Sequence, residues 1–239
     1  MSFNINRVIA PMVGQSDAPY RSLCLKYGSN CVYSEMLYSQ LIIEDNFYLD
    51  SYLPSIDHQL QQYGYPTHPL VVQICGNNPH ILAEAVKRIA ITGRADAIDF
   101  NLGCPQERAK DGLFGSYLLD KCHWSNVFAC VKAMIDSLRE YNIPLFCKIR
   151  LIQGSNILEL TKTFCFGLYD CGVRVFCIHG RTRGSTKYRR VGPADLQIIA
   201  QIASSLQIYH ESKRLINSKS QSIWDQKVII ISNGNITSP

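Results

Sequence analysis

Ala97-Ile98-Asp99-Phe100-Asn101-Leu102-Gly103-Cys104-Pro105 decides how the chain is read. Ala97 to Phe100 has the length and composition of a strand buried on both faces. It runs directly into a turn in which Gly103 and Pro105 hold a cysteine between them. Outward from this stretch the same kind of apolar run, rich in Val and Ile, recurs at Val8 to Ala10, Cys31 to Tyr33, Leu70 to Ile74, Leu145 to Lys148, Val175 to His179 and Val228 to Ser232. Segments of helical period lie between the runs. Pro79 to Ala90 places Ile81, Leu82, Ala85, Val86 and Ile89 at three- and four-residue spacing, and Asn126 to Glu140 does the same with Val127, Val131, Met134 and Leu138. This alternation predicts βαβ units on a parallel sheet, an α/β fold of the TIM (β/α)8-barrel type. The 239 residues fall just short of the roughly 250 typical of such barrels. After Asn235 only Ile236 to Pro239 remain, so the expected barrel is one domain over residues 1–239, truncated after its seventh strand.

A 46% hydrophobic, 18% charged composition is enough for one large core and argues against a long disordered tail. Met1 to Arg7 carries no basic segment leading into a long apolar run, so no secretory signal or membrane anchor is readable. The expectation is an intracellular chain, cytoplasmic or nuclear. Ten cysteines are scattered singly without C-x-x-C spacing and are read as reduced thiols, with no metal site. No G-x-G-x-x-G follows the first strand, and no P-loop or H-E-x-x-H is present. The net charge of +5 suits an anionic partner without requiring one. Its distribution is uneven: from Cys171 to Ala194 there is no acidic residue, while Arg174, Arg181, Arg183, Lys187, Arg189 and Arg190 are basic. Such a cluster is either a solvated face or a phosphate-binding loop. Glu211 to Gln226, polar and rich in Ser and Lys, reads as a surface insertion.

In a parallel barrel the C-terminal strand ends emerge on one face, where active sites sit. Gln73, Lys148 and His179 each stand at or beside such an end, and a lysine there needs an anionic or electron-rich ligand to offset its burial. Asn233-Gly234-Asn235 follows the last strand, where such barrels often bind phosphate through backbone N–H groups. An arbitrary cysteine is most often a small buried hydrophobe. Cys104 instead sits on an exposed turn ahead of Lys110-Asp111-Gly112-Leu113-Phe114-Gly115, a loop able to close over a substrate.

The ordered series Ala10-Pro11-Met12-Val13, Val72-Gln73-Ile74, Asp99 to Pro105, Cys147-Lys148-Ile149-Arg150, Ile178-His179-Gly180-Arg181-Thr182 and Asn233-Gly234-Asn235 resembles the tRNA-dihydrouridine synthases, most closely the eukaryotic type acting on D-loop uridines 16 and 17. The resemblance covers the chain from about Val8 to Ile236. It implies an FMN-binding barrel, reduced by NADPH or NADH, that converts uridine in tRNA to 5,6-dihydrouridine. Hydride from the flavin would go to C6 and a proton from Cys104 to C5. It also implies that Pro11, Met12 and Val13 line the flavin ring and that Gln73 and Lys148 bind its polar edge. His179, Asn233, Gly234 and Asn235 would hold ribityl and phosphate, with Asn101 and Arg181 on the substrate side. The basic stretch from Arg174 to Arg190 would meet phosphates flanking an extruded base. The expected departures from the family are an eighth strand, a second Gly-rich phosphate loop and a C-terminal helical tRNA-binding domain that are not found after Asn235, Ser116 where Ala is common, and the Glu211 to Gln226 insertion. A small-molecule reductase on an FMN barrel and a non-catalytic truncated homologue are the competing readings.

Overall fold

The structure, a computed structural model, describes residues 5–54, 62, 68–186, 192–216 and 227–234. Its strands are β1 (Val8–Ile9), β2 (Cys31–Tyr38), β3 (Leu70–Cys75), β4 (Ala97–Leu102), β5 (Leu145–Arg150), β6 (Val175–His179) and β7 (Ile229–Asn233). They form one sheet in the order β1-β2-β3-β4-β5-β6-β7. The pairings β1/β2, β2/β3, β3/β4, β5/β6 and β6/β7 are all parallel. Helices occupy the connections: α1 (Ala18–Lys26), α2 (Ser39–Glu44), α3 (Tyr48–Tyr52), α4 (Pro79–Ile91), α5 (Glu107–Asp111), α6 (Trp124–Leu138), α7 (Ile157–Asp170) and α8 (Leu196–Ile216). A parallel sheet whose spatial order is the chain order, with helical crossovers, is the TIM-type barrel, here with seven strands among the described residues.

The chain divides into two compact units, Met1–Phe100 with Ala133–Leu145 and Asn101–Lys132 with Phe146–Pro239. In the first, every residue of β3 is buried, as expected of a strand covered on both faces. Helix α4 starts where Asn78 accepts from the N–H groups of His80 and Ile81, with Pro79 in the first turn, and it buries Leu82, Ala85, Val86 and Ile89. In the second unit Asn156 caps α7, which buries Phe164, Cys165 and Leu168. Tyr169 at its end shares a 2.9 Å hydrogen bond with His210 of α8.

Three expectations shift. β2 continues to Tyr38 instead of ending at Tyr33, because its polar residues are absorbed by an irregularity in the β2/β3 register between Tyr33 and Met36. Ser34 Oγ there accepts from the N–H of Gln73 at 3.0 Å. β4 and β5 run on to Leu102 and Arg150, so the strands themselves carry Asn101 and Arg150. The insertion read from Glu211 onward is, as far as Ile216, the last part of α8. Its polar residues make a solvent-facing helix surface, with Gln207 donating to Glu211 at 2.9 Å and Lys213 paired with Asp170 at 3.3 Å. The remainder of that segment lies outside the described residues.

Candidate active site

In the first unit the loop after β1 carries Pro11, Met12 and Val13. Ser16, fully buried, ties it down. Its N–H and Oγ both donate to the carbonyl of Met12, at 2.9 and 3.1 Å, and its Oγ accepts from the Met12 N–H at 3.0 Å. Arg21, also buried, donates to the Ser16 carbonyl at 2.8 Å. The loop is therefore rigid at its base while Val13 stands exposed. Gln73 on β3 donates from Nε2 to Asp99 of β4 at 2.7 Å, both side chains buried. Asp99 thus fixes the Gln73 carboxamide orientation, with its nitrogen turned toward the carboxylate.

The second unit holds the loop that carries Cys104. Asn101, near the end of β4, accepts through Oδ1 from the N–H groups of Gly103 and Cys104, at 3.0 and 2.9 Å. This side-chain turn curls the chain so that Cys104 leaves the strand. Ser116 clamps the loop from its far side, its N–H and Oγ both donating to the Cys104 carbonyl at 3.0 and 2.9 Å. Asn101, expected to approach substrate, has its oxygen committed to positioning the loop. Replacing Asn101 by Ala leaves two inward N–H groups without that acceptor. We expect a loss of about 1–3 kcal/mol in unfolding free energy, measurable by urea titration.

The strand register assembles the rest. Arg150 on β5 lies beside His179 on β6, which lies beside Asn233 on β7. Lys148, two residues before Arg150, shares its face. The row Arg150, His179, Asn233 crosses three strand ends at one level. Arg150 donates from Nε to the Gly103 carbonyl at 2.7 Å, linking this row to the cysteine loop. Gly234 follows with φ of +120°, and a Cβ there would lie 2.8 Å from Ala194 Cβ and 3.3 Å from His179 Cε1. Only glycine fits that approach. Asn235 lies outside the described residues. Arg181 is buried, with its Nε donating to the Gly192 carbonyl at 3.0 Å.

Burial raises the Cys104 thiol pKa above its ordinary value, while the Gln106 N–H and the charges of Arg150 and Lys148 pull the other way. The net direction keeps the sulfur protonated at neutral pH. Burial lowers the pKa of Arg150, with the thiol opposing and the like charge of Arg181 adding; a guanidinium so shifted remains charged.

Sequence reading did not single out Arg150, Ser116 or Asp99 as functional. Arg150 was detectable: it follows Lys148 by two residues, the period of one strand face. The basic stretch also changes meaning. Arg174 donates to the carbonyls of Tyr169 and Val173 at 2.8 and 3.0 Å, and Arg183 is paired with Asp120 at 2.9 Å, so both are held internally. Lys187, Arg189 and Arg190 lie outside the described residues.

The fold and this site define a TIM-type barrel whose fourth strand delivers a protonated thiol beside cationic strand ends. The chain belongs to the dihydrouridine synthase family, whose model matches residues 8–211. It is 31% identical over 200 residues to the tRNA-dihydrouridine(16/17) synthase of Saccharomyces cerevisiae, covering 84% of this chain and 44% of that protein. The Schizosaccharomyces pombe protein of the same name is 32% identical over 201 residues, covering 84% and 46%. The tRNA-dihydrouridine synthase B of Xanthomonas campestris is 32% identical over 208 residues, covering 84% and 55%. The chain thus spans about half the length of these relatives. Among solved structures, a 2,3-dimethylmalate lyase aligns with a TM-score of 0.54 at 13% identity, covering 85% of this chain and 65% of that one. A phosphonopyruvate hydrolase aligns at 0.51 and 13%, covering 96% and 75%. These share the barrel fold alone. No described helix is long and apolar enough to cross a membrane.

Proposed function

We propose that this chain reduces uridine to 5,6-dihydrouridine in tRNA, with flavin mononucleotide as resident cofactor and NADPH or NADH as reductant. The observation that carries the reading is the Cys104 thiol, kept protonated by burial and held on its turn beside Arg150 and Lys148, in a chain of this family.

The donor set fits an electron-rich ligand. The Lys148 ammonium makes no hydrogen bond or ion pair among the described residues, and Arg150 Nη1 is buried without an acceptor among them. Cationic N–H groups in that condition call for an external acceptor. A flavin edge, a phosphate or a uracil carbonyl supplies one. Lys148, His179, Asn233, Gly234 and Asn235 would hold the flavin's polar parts, Gly234 allowing the close backbone approach that phosphate binding uses. Pro11, Met12 and Val13 would line its ring, and Gln73 would join Lys148 at its polar edge.

Bound and reduced, the flavin supplies a hydride equivalent to C6 of the uracil. Cys104 provides the matching proton: its S–H bond breaks as the C5–H bond forms. Arg150 and Lys148 stabilise the thiolate left behind until solvent reprotonates it. Arg181 would stand on the substrate side of this exchange, where Asn101 would act through the loop it positions. A base in folded tRNA reaches such a pocket only when extruded from its stack.

The test is spectroscopic. The purified chain titrated with FMN is expected to develop a bound-flavin absorbance spectrum, to bleach anaerobically with NADPH or NADH, and to recover colour when unmodified tRNA is added. Recovery with already modified tRNA should be much slower. A chain that retains no flavin would overturn the proposal.

A further inference from the structure

The loop bearing Cys104 is secured at a distance by one arginine. Arg183, in the turn that follows β6, donates from Nη1 to the Ser116 carbonyl at 2.9 Å and from Nη2 to both Asp120 carboxylate oxygens at 2.9 and 3.1 Å. Its guanidinium also lies over the Tyr117 ring, 4.6 Å from the centroid. Of the three residues it engages, Ser116 and Tyr117 are those that hold the turn bearing Cys104. Ser116 binds the Cys104 carbonyl through both N–H and Oγ, and the Tyr117 hydroxyl donates to the Pro105 carbonyl at 3.2 Å.

We propose that Arg183 is a positioning residue that clamps the Ser116-Tyr117 segment and through it sets the placement of Cys104. Taking Cys104 as the proton donor rests on the function proposed above; the clamp itself rests on geometry within one unit. A phosphate-binding role would require an RNA phosphate to displace a bidentate carboxylate and to reach a guanidinium whose face Tyr117 already covers. The planar fork matters more than the charge, because its two terminal nitrogens hold Ser116 and Asp120 separately, whereas a lysine places all its donors on one nitrogen.

The clamp is tested by alkylating Cys104 with iodoacetamide near pH 8, following each cysteine peptide by mass spectrometry, with Cys24 as internal reference. Arg183→Ala and Asp120→Ala should each speed modification of Cys104 by about tenfold, the double variant no more than either single one. Arg183→Lys should behave like Arg183→Ala. In turnover, kcat should fall by a similar factor at unchanged KM for tRNA. Alkylation of Cys104 changed by less than twofold in a folded Arg183→Ala protein would overturn the clamp. So would a raised KM with unchanged kcat, which marks an RNA contact instead. Should Arg183→Ala fail to fold, Asp120→Ala carries the same comparison. Alkylation needs no turnover, so a chain inactive on tRNA would count against the proposed function and leave this series decisive on the clamp.

Discussion

Cys104→Ala is expected to lower dihydrouridine formation by about 10²- to 10⁴-fold, the range for losing a positioned general acid, while flavin binding and its bleaching by nicotinamide persist. Quantifying dihydrouridine in tRNA digests together with the flavin spectrum separates the two half-reactions. On the proposed function the thiol is the active form. Burial raises its pKa above the ordinary 9.0, so activity should hold through neutral pH and fall only as pH climbs past that value, when the donor proton is lost. A limb that falls on the acid side instead would mean that Cys104 works as a thiolate. Wild-type turnover by Cys104→Ala would remove it from the chemistry altogether.

Gly115→Ala should be the most damaging small substitution near the site. Gly115 has φ of +63°, and a Cβ on it would lie 2.7 Å from the Cys104 carbonyl oxygen and 2.9 Å from Cys104 Cβ. The left-handed backbone costs a non-glycine residue about 1–2 kcal/mol, and forcing apart packed atoms adds about 1–3 kcal/mol. A total loss of about 2–5 kcal/mol is expected from denaturant unfolding, with kcat falling because the atoms displaced belong to Cys104, the proposed proton donor. Gly93→Ala supplies the control. Its φ is +64°, but a Cβ there meets nothing within 4 Å, so it should show only the backbone cost and leave turnover unchanged. Equal losses in both variants would sink the claim that Gly115 is required for its contact with Cys104.

Sequence order and composition carried the architecture a long way. Strand positions were legible because buried parallel strands are continuous apolar runs, and Leu70–Cys75 and Ala97–Leu102 are buried along their whole length. Cys104 was legible because Gly103 and Pro105 mark a turn at a strand end. β2 was read too short, since Ser34 and Glu35 look like a break until Ser34 is seen accepting the Gln73 N–H. The polar tail of α8 was read as an insertion for a related reason: local polarity does not distinguish a solvated helix face from a loop.

The sequence by itself determined the alternation of strands and helices, the strand that carries Cys104 and the glycine after the last strand, because periodicity and turn chemistry act over a few residues. Only the tertiary structure decided which polar groups meet. The row Arg150, His179 and Asn233 depends on parallel register between strands, and Arg183 reaches Asp120 across 63 positions of chain. The apparent cationic surface became, at Arg174 and Arg183, internal hydrogen bonding for the same reason. A charge's partner is set by how elements pack, and nothing in its neighbours along the chain encodes that distance.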